Sequence, residues 1–352
     1  MKDSDIKIYD IAIIGLGPAG ALFASLLNSK FSVVAFDKKS NDLSTSYKKP
    51  CGGLLAPDAQ KMLLKLGLEL PENIYSQPRN CKLKVIDLNI NTYAYFPNSY
   101  INIDRHRFDI WLKSKIPSNV NIIDNSICTD IYYDGEYYII TVICNKVTYE
   151  YKSKYLIGAD GASSIVRKKL YPRKKISSYL SVQQWFDDVN LSDYICIFDS
   201  KLGDCYSWGI PKGDKFILGG AFSIAEGKYK FECLKNKLQL YEINLGVPVK
   251  TEACIVLRPS NPFEFCCGNH NAFLIGESAG FISPSSLDGI SYALESAYIL
   301  SNLFNFSNNI SSFDYQKATF FIKLKLSLKL LKNFFIYNQF FRYIFFKFWS
   351  NK

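Results

Sequence analysis

Residues Tyr9–Ala21 read YDIAIIGLGPAGA, and this stretch decides the architecture. A run of buried-type residues ends in Gly15, Gly17 and Gly20, spaced G-x-G-x-x-G, and Pro18 and Ala19 open a helix. Gly15 permits the tight turn, Gly17 lets a pyrophosphate approach the backbone, and Gly20 lets helix and strand pack closely. The free N–H groups and the dipole of the helix start then face the phosphates. About twenty residues further on, SVVAFDKKS places Asp37 and Lys38 at the end of a second strand, where a carboxylate holds ribose hydroxyls. The glycines alone would also suit an ordinary turn. Strand, glycines, helix and acid together predict a dinucleotide site.

The 352 residues are 48% hydrophobic and 21% charged, with ample material for two domains or for one woven into another. Ten cysteines are scattered without a C-x-x-C, so neither a metal site nor a disulfide framework is expected, and free thiols suit a reducing cytosol. The glycine motif follows a short polar leader at once, which leaves no room for a signal peptide. The net charge is +10, and from Gln316 onward eight bases meet no acid. The remainder of the chain is close to neutral and carries no nucleic-acid motif, so DNA and RNA are not expected partners.

The pattern of strands and helices predicts an α/β protein with an inserted α+β unit. Nucleotide-type segments at 1–78, 101–172 and 253–302 form a discontinuous domain. Segments 79–100 and 173–252 form an antiparallel β-sheet domain for substrate, and 303–352 is a helical, basic-aromatic tail. DRHRFDIWLKSKI is a helix capped by Asp104, and Asp134-Gly135 marks a hairpin.

Two later segments resemble the first. YLIGADGASSIVR (155–167) is a strand ending at Asp160-Gly161 with a helix behind it. FLIGESAGFISPSSLDGI (273–290) is a strand delivering Gly276-Glu277 to a helix start, where a carboxylate accepts from ribityl hydroxyls. The amides near Gly289-Ile290 suit the pyrimidine edge of a flavin. Glu277 would equally serve as a plain helix-start acid.

GLGPAG, GADGASS and GESAGF together resemble the FAD-binding signatures of glutathione-reductase-type Rossmann flavoproteins, in the para-hydroxybenzoate-hydroxylase-like branch. Arg105 in DRHRFD is similar to that branch's R-x-x-F-D, whose Arg approaches the cofactor. Lys49-Pro50-Cys51-Gly52-Gly53 and Tyr206-Ser207-Trp208-Gly209-Ile210-Pro211 resemble the P-C-G-G and Y-x-W-x-F-P motifs of the geranylgeranyl reductase family. The strings KPCGGLLAPDAQ, QQWF and DCYSW are most similar to a bacterial member of that family. The chain departs from the family at Glu277, where Asp is usual, at Ile210 for Phe, and at Gly219-Gly220 for G-x-G.

The resemblance implies that reduced FAD delivers a hydride to a prenyl double bond. It implies Tyr206 and Trp208 as the wall of an apolar slot and Cys51 as a residue near the flavin or a proton donor. Ordinary core aromatics and a small buried thiol are the plainer readings. With no second G-x-G-x-x-G, either NAD(P)H docks transiently near Asp160-Gly161 or another protein reduces the flavin. A flavin monooxygenase or halogenase, and a non-catalytic flavin-bearing lipid binder, remain alternatives. In the tail, Lys325, Lys329 and Lys332 share one helical stripe in an otherwise apolar helix, with no apolar run of spanning length. This predicts a peripheral helix on the inner membrane surface with lysines at the phosphate level, or a helical layer closing the substrate domain.

Overall fold

The computed structural model describes residues 7–40, 48–187, 189, 191–239, 241, 243–307 and 309–349. The polar leader and Lys352 lie outside the described residues. Two eight-stranded sheets organise the chain. In the first, Ile8–Ile14 runs parallel to Val33–Phe36 on one side and to Val147–Gly158 on the other. Val120–Ile123 and Ala272–Leu274 extend this parallel core. Strands buried on both faces need apolar residues throughout, and Ile11, Ile13, Val34, Leu156 and Ile157 are all buried. The helix Pro18–Leu26 packs on this core beside the helix Ile290–Phe306, where Phe304 meets Phe23, Phe31, Tyr155 and Phe273 edge-on.

The second sheet runs, in order, Lys250–Leu257, Ser178–Asp187, Lys215–Phe222, Ser207–Lys212, Tyr194–Phe198, Tyr75–Asp87, Thr92–Ile103 and Leu54–Leu55. It is antiparallel except where Tyr194–Phe198 lies parallel to Tyr75–Asp87, a departure from the all-antiparallel expectation. The boundary expected at 253 falls inside the strand Lys250–Leu257, and Leu54–Leu55 joins this sheet from within the first expected segment. Asp104 caps the helix Arg105–Lys113 by accepting from the amides of His106 and Arg107, as its sequence predicts.

The tail forms three helices, Ser312–Ala318, Phe320–Tyr337 and Gln339–Trp349. Ile322 and Leu326 are fully buried against the body. Two of the three lysines of the expected stripe turn toward the body, while Lys332 is exposed: Lys325 pairs with Asp58 at 2.9 Å, and Lys325 and Lys329 lie over the Tyr292 ring. Acid and aromatic partners on the body outcompete water for these ammonium groups. Phe320, Phe321, Leu328, Leu331 and Phe334 are left on the outer face. Among the described residues no helix is long and apolar enough to cross a membrane.

Candidate functional site

The glycine turn has the geometry its sequence demands. Gly15 sits at φ +93°, and a Cβ there would meet Ala159 O at 2.7 Å; one at Gly20 would lie 1.9 Å from Gly15 O. A Cβ at Gly17, by contrast, meets no protein atom within 4 Å. Gly17 is thus the residue whose bareness leaves room for something other than protein. It caps the helix start, whose orphan amides point into the same space.

That space belongs to a continuous cavity of about 630 Å³ between the two sheets. Gly15, Gly17, Pro18, Ala19, Asp37 and Lys38 line it from the first sheet, and Tyr100, Tyr194, Tyr206, Trp208 and Ile210 from the second. Cys51, Gly52, Arg105, Asp160, Gly161, Glu277, Gly289 and Ile290 stand between. Gly20 and Gly276 do not line it. Gly276, at φ +61°, lets the turn pack on Ala19 and Ala293, and donates its amide to Ser296 Oγ at 2.9 Å.

A dinucleotide fits the residues present. Asp37 is buried at the strand end with Oδ2 unpartnered, while Oδ1 accepts from Lys39 N at 3.2 Å. Burial holds its carboxyl above the usual range, and a pair of ribose hydroxyls would satisfy the orphan oxygen. Asp160 uses Oδ2 to accept from Ile165 N at 2.7 Å and leaves buried Oδ1 unpartnered, facing the same cavity.

Two expectations change. The chain after Gly276 is not an α-helix: Gly276–Ala279 is a single 3₁₀ turn stopped by Gly280 in the left-handed region, and the α-helix begins at Ile290. Glu277 is already engaged, with Oε2 taking Lys49 Nζ at 2.5 Å and Oε1 taking Leu257 N at 3.0 Å. It ties the Pro50–Gly53 loop and the second sheet to the cofactor groove.

Sequence reasoning passed over two positioning groups, Asp109 and Lys212. Asp109 receives Arg105 Nε at 2.8 Å and Lys39 Nζ at 2.6 Å, and burial notwithstanding, these cations hold its carboxyl below the usual range. Arg105 in turn donates to Cys51 Sγ at 3.4 Å, as does Gly53 N. Lys212, beyond the Tyr206–Pro211 motif, donates to Asn102 Oδ1 at 2.5 Å, Ile103 O at 2.8 Å and Gly53 O at 3.1 Å, and burial pushes it down to about 8. The Asp of R-x-x-F-D and the Lys following the aromatic motif were the available signals.

The aromatic wall is built on register. Trp208 lies opposite Gly219, where a Cβ would stand 2.4 Å from its Nε1. The bare glycine lets the indole lie flat. Tyr206 and Trp208 meet edge-on at 6.3 Å, and Tyr194 packs edge-on against Tyr100 at 5.0 Å. Tyr206 donates to Ser286 O at 2.7 Å. Tyr100 and Tyr194 carried no motif and enter the wall only through strand order.

No family model matches the chain. Protein CbrA of Shigella flexneri serotype 5b (strain 8401) is 44% identical over 326 residues, spanning 92% of this chain and 89% of the relative. The chain belongs to the CbrA protein family. CbrA of Escherichia coli O9:H4 (strain HS) is similar to the same extent, 44% over 326 residues. Among solved structures, a geranylgeranyl bacteriochlorophyll reductase-like protein from Thermoplasma acidophilum superposes with TM-score 0.77 at 17% identity, covering 94% of this chain and 86% of its own. A triple mutant of the flavin-dependent brominase Bmp2 gives TM-score 0.71 at 19% identity, covering 95% and 90%. At such identities the likeness shows the fold: this CbrA-family chain has the architecture of FAD-dependent oxidoreductases, a Rossmann domain joined to a sheet domain.

Proposed function

We propose that this CbrA-family protein binds FAD and reduces carbon–carbon double bonds of an isoprenoid lipid. The observation that supports it is the continuity of the cavity: the dinucleotide groove opens into a slot walled by Tyr100, Tyr194, Tyr206, Trp208 and Ile210. FAD, once reduced, supplies a hydride from its N5.

The protein's part is binding and orientation. Gly15, Gly17, Pro18 and Ala19 would receive the pyrophosphate, and Asp37 the ribose. Asp160, Gly161 and Glu277, with the amides near Gly289 and Ile290, would hold the rest of the cofactor. An unactivated alkene offers no charge to grip, so an apolar slot that excludes water and fixes the double bond supplies most of the catalysis. Cys51 is held at the junction of groove and slot by Arg105 and the Gly53 amide. The outward aromatic face of Phe320–Tyr337, in a tail without acids after Gln316, would rest on the inner membrane surface where such substrates reside. The electron donor in this reading is NAD(P)H docking near Asp160-Gly161, or a partner protein.

The test is the mass of polyprenyl phosphates after incubation with chemically reduced protein under nitrogen. A gain of hydrogen pairs that is lost in the Gly17 variant supports the reductase. Addition of oxygen on admitting air replaces it with a monooxygenase. Tight flavin binding with neither change leaves a lipid-binding flavoprotein.

A further inference from the structure

Reduction of an alkene needs a proton as well as a hydride, and the slot must hold its source. Among the described residues, four carboxyl groups line the cavity: Asp37, Asp160, Glu277 and Asp288. Three have other work. Asp37 accepts from Lys39 N, Asp160 accepts from Ile165 N, and Glu277 is clamped by Lys49 and Leu257 N. The Tyr206 hydroxyl already donates to Ser286 O.

Asp288 remains, and the loop that carries it is pinned carbonyl by carbonyl. Pro284 O accepts from Arg258 Nε at 2.9 Å and Asn333 Nδ2 at 3.3 Å, Ser285 O from Tyr337 at 2.9 Å, and Ser286 O from Tyr206 at 2.7 Å. Ser283 N closes the loop onto Asp288 O at 2.9 Å. Leu287 is forced to φ +53°, a conformation costly for a branched side chain. Such a loop fixes Asp288 beside the slot, immediately before the Gly289-Ile290 amides.

Resting on the reductase reading, we propose that Asp288 is the general acid that protonates the alkene carbon opposite the one receiving the hydride. The balance is complete. One carbon gains a hydride from the reduced flavin, which is thereby oxidised. The π pair forms the second C–H bond with the proton of Asp288, leaving a carboxylate that water reprotonates. The groups facing Asp288 are Ser291 on its own helix, which donates to Oδ2 at 2.6 Å, Lys329 from the tail helix, Asp58 from the helix Pro57–Lys65, and Tyr100 and Tyr292. Burial outweighs the Ser291 bond and the Lys329 charge and raises the carboxyl, favouring the protonated form. Lys329 also feels Asp58, which pairs with Lys325 at 2.9 Å.

Asp288→Asn is the test, because Asn keeps an acceptor for the Ser291 hydroxyl while removing the acid. Single-turnover reduction of polyprenyl phosphate by dithionite-reduced, FAD-loaded protein is followed against pH under nitrogen. In the wild type the rate should fall as pH rises through the Asp288 value. The variant should bind FAD and lipid as before, yet react roughly 10²–10⁴-fold more slowly with that pH limb gone. Independently of turnover, infrared difference spectra of the protein without flavin, recorded above the ordinary Asp range, should show one protonated-carboxyl band in wild type that the variant lacks, beside those of Asp37 and Asp160 that both share. An undiminished rate with an unchanged pH profile overturns the proposal, as does absence of that band. If wild type reduces no lipid while the band is present, the reductase reading itself has failed, and the assignment of Asp288 as its acid falls with it.

Discussion

Gly17 and Gly20 belong to one motif but answer to different forces. Gly17→Ala should leave the melting temperature unchanged and weaken FAD binding, because its methyl enters ligand space alone; fluorescence titration of apo-protein checks this. Gly20→Ala should lower the melting temperature, since its methyl meets the Gly15 carbonyl. A variant pair with the opposite pattern would reject the assignment of the groove. At Glu277, Glu277→Gln should loosen the Lys49 contact and make the Pro50–Gly53 loop more susceptible to proteolysis without unfolding the protein. These residues were legible in the chain because a glycine's role here is set by neighbours close in sequence. The partner of Glu277 was not, because Lys49 reaches it only after the second sheet brings the loop back.

At the level of elements, the tail is both wall and surface. Phe346 is buried with Val85, Cys196, Phe198 and Tyr206, and Arg342 pairs with fully buried Asp87 at 2.5 Å. Arg342→Met would strand that carboxylate and should cost about 3–5 kcal/mol, read as a lower denaturation midpoint. Deleting 333–352 would therefore open the aromatic cluster as well as remove any membrane contact. Substitution of outward residues separates the two: Phe321, Leu328 and Leu331, which are 76%, 58% and 67% exposed, changed together to Ser. That variant should keep its melting temperature and lose sedimentation with anionic vesicles; continued sedimentation would remove the membrane role from this face. Helicity, basicity and the lysine stripe were all readable from periodicity. The direction of Lys325 and Lys329 was not, since Asp58 and Tyr292, which draw them inward, lie far away in the chain.

For the whole molecule, pH acts through buried carboxyls with raised values. A group whose folded pKa exceeds its unfolded one stabilises fully below the unfolded value and loses that contribution as pH rises through the folded one. Asp37, Asp160 and Asp288 are all of this kind. Asp288→Asn should thus gain thermal stability relative to wild type as pH increases above the ordinary Asp range, with little difference below it; a difference independent of pH would contradict the burial argument. The parallel core and the cofactor groove could be read in the sequence because each strand–turn–helix unit is local. The slot could not. Tyr100, Tyr194 and Asp288 come from three separate regions, and only sheet order and the pinned loop bring them to one cavity.

The indole of Trp208, laid flat on Gly219 with its N–H buried and unpartnered, has an optical consequence. A half-buried ring emits at shorter wavelength as water leaves its exposed face, and a yellow chromophore in the adjoining groove would absorb that light. The protein therefore carries its own lamp beside the slot, and its dimming and colour report, without any label, when each half of the cavity fills.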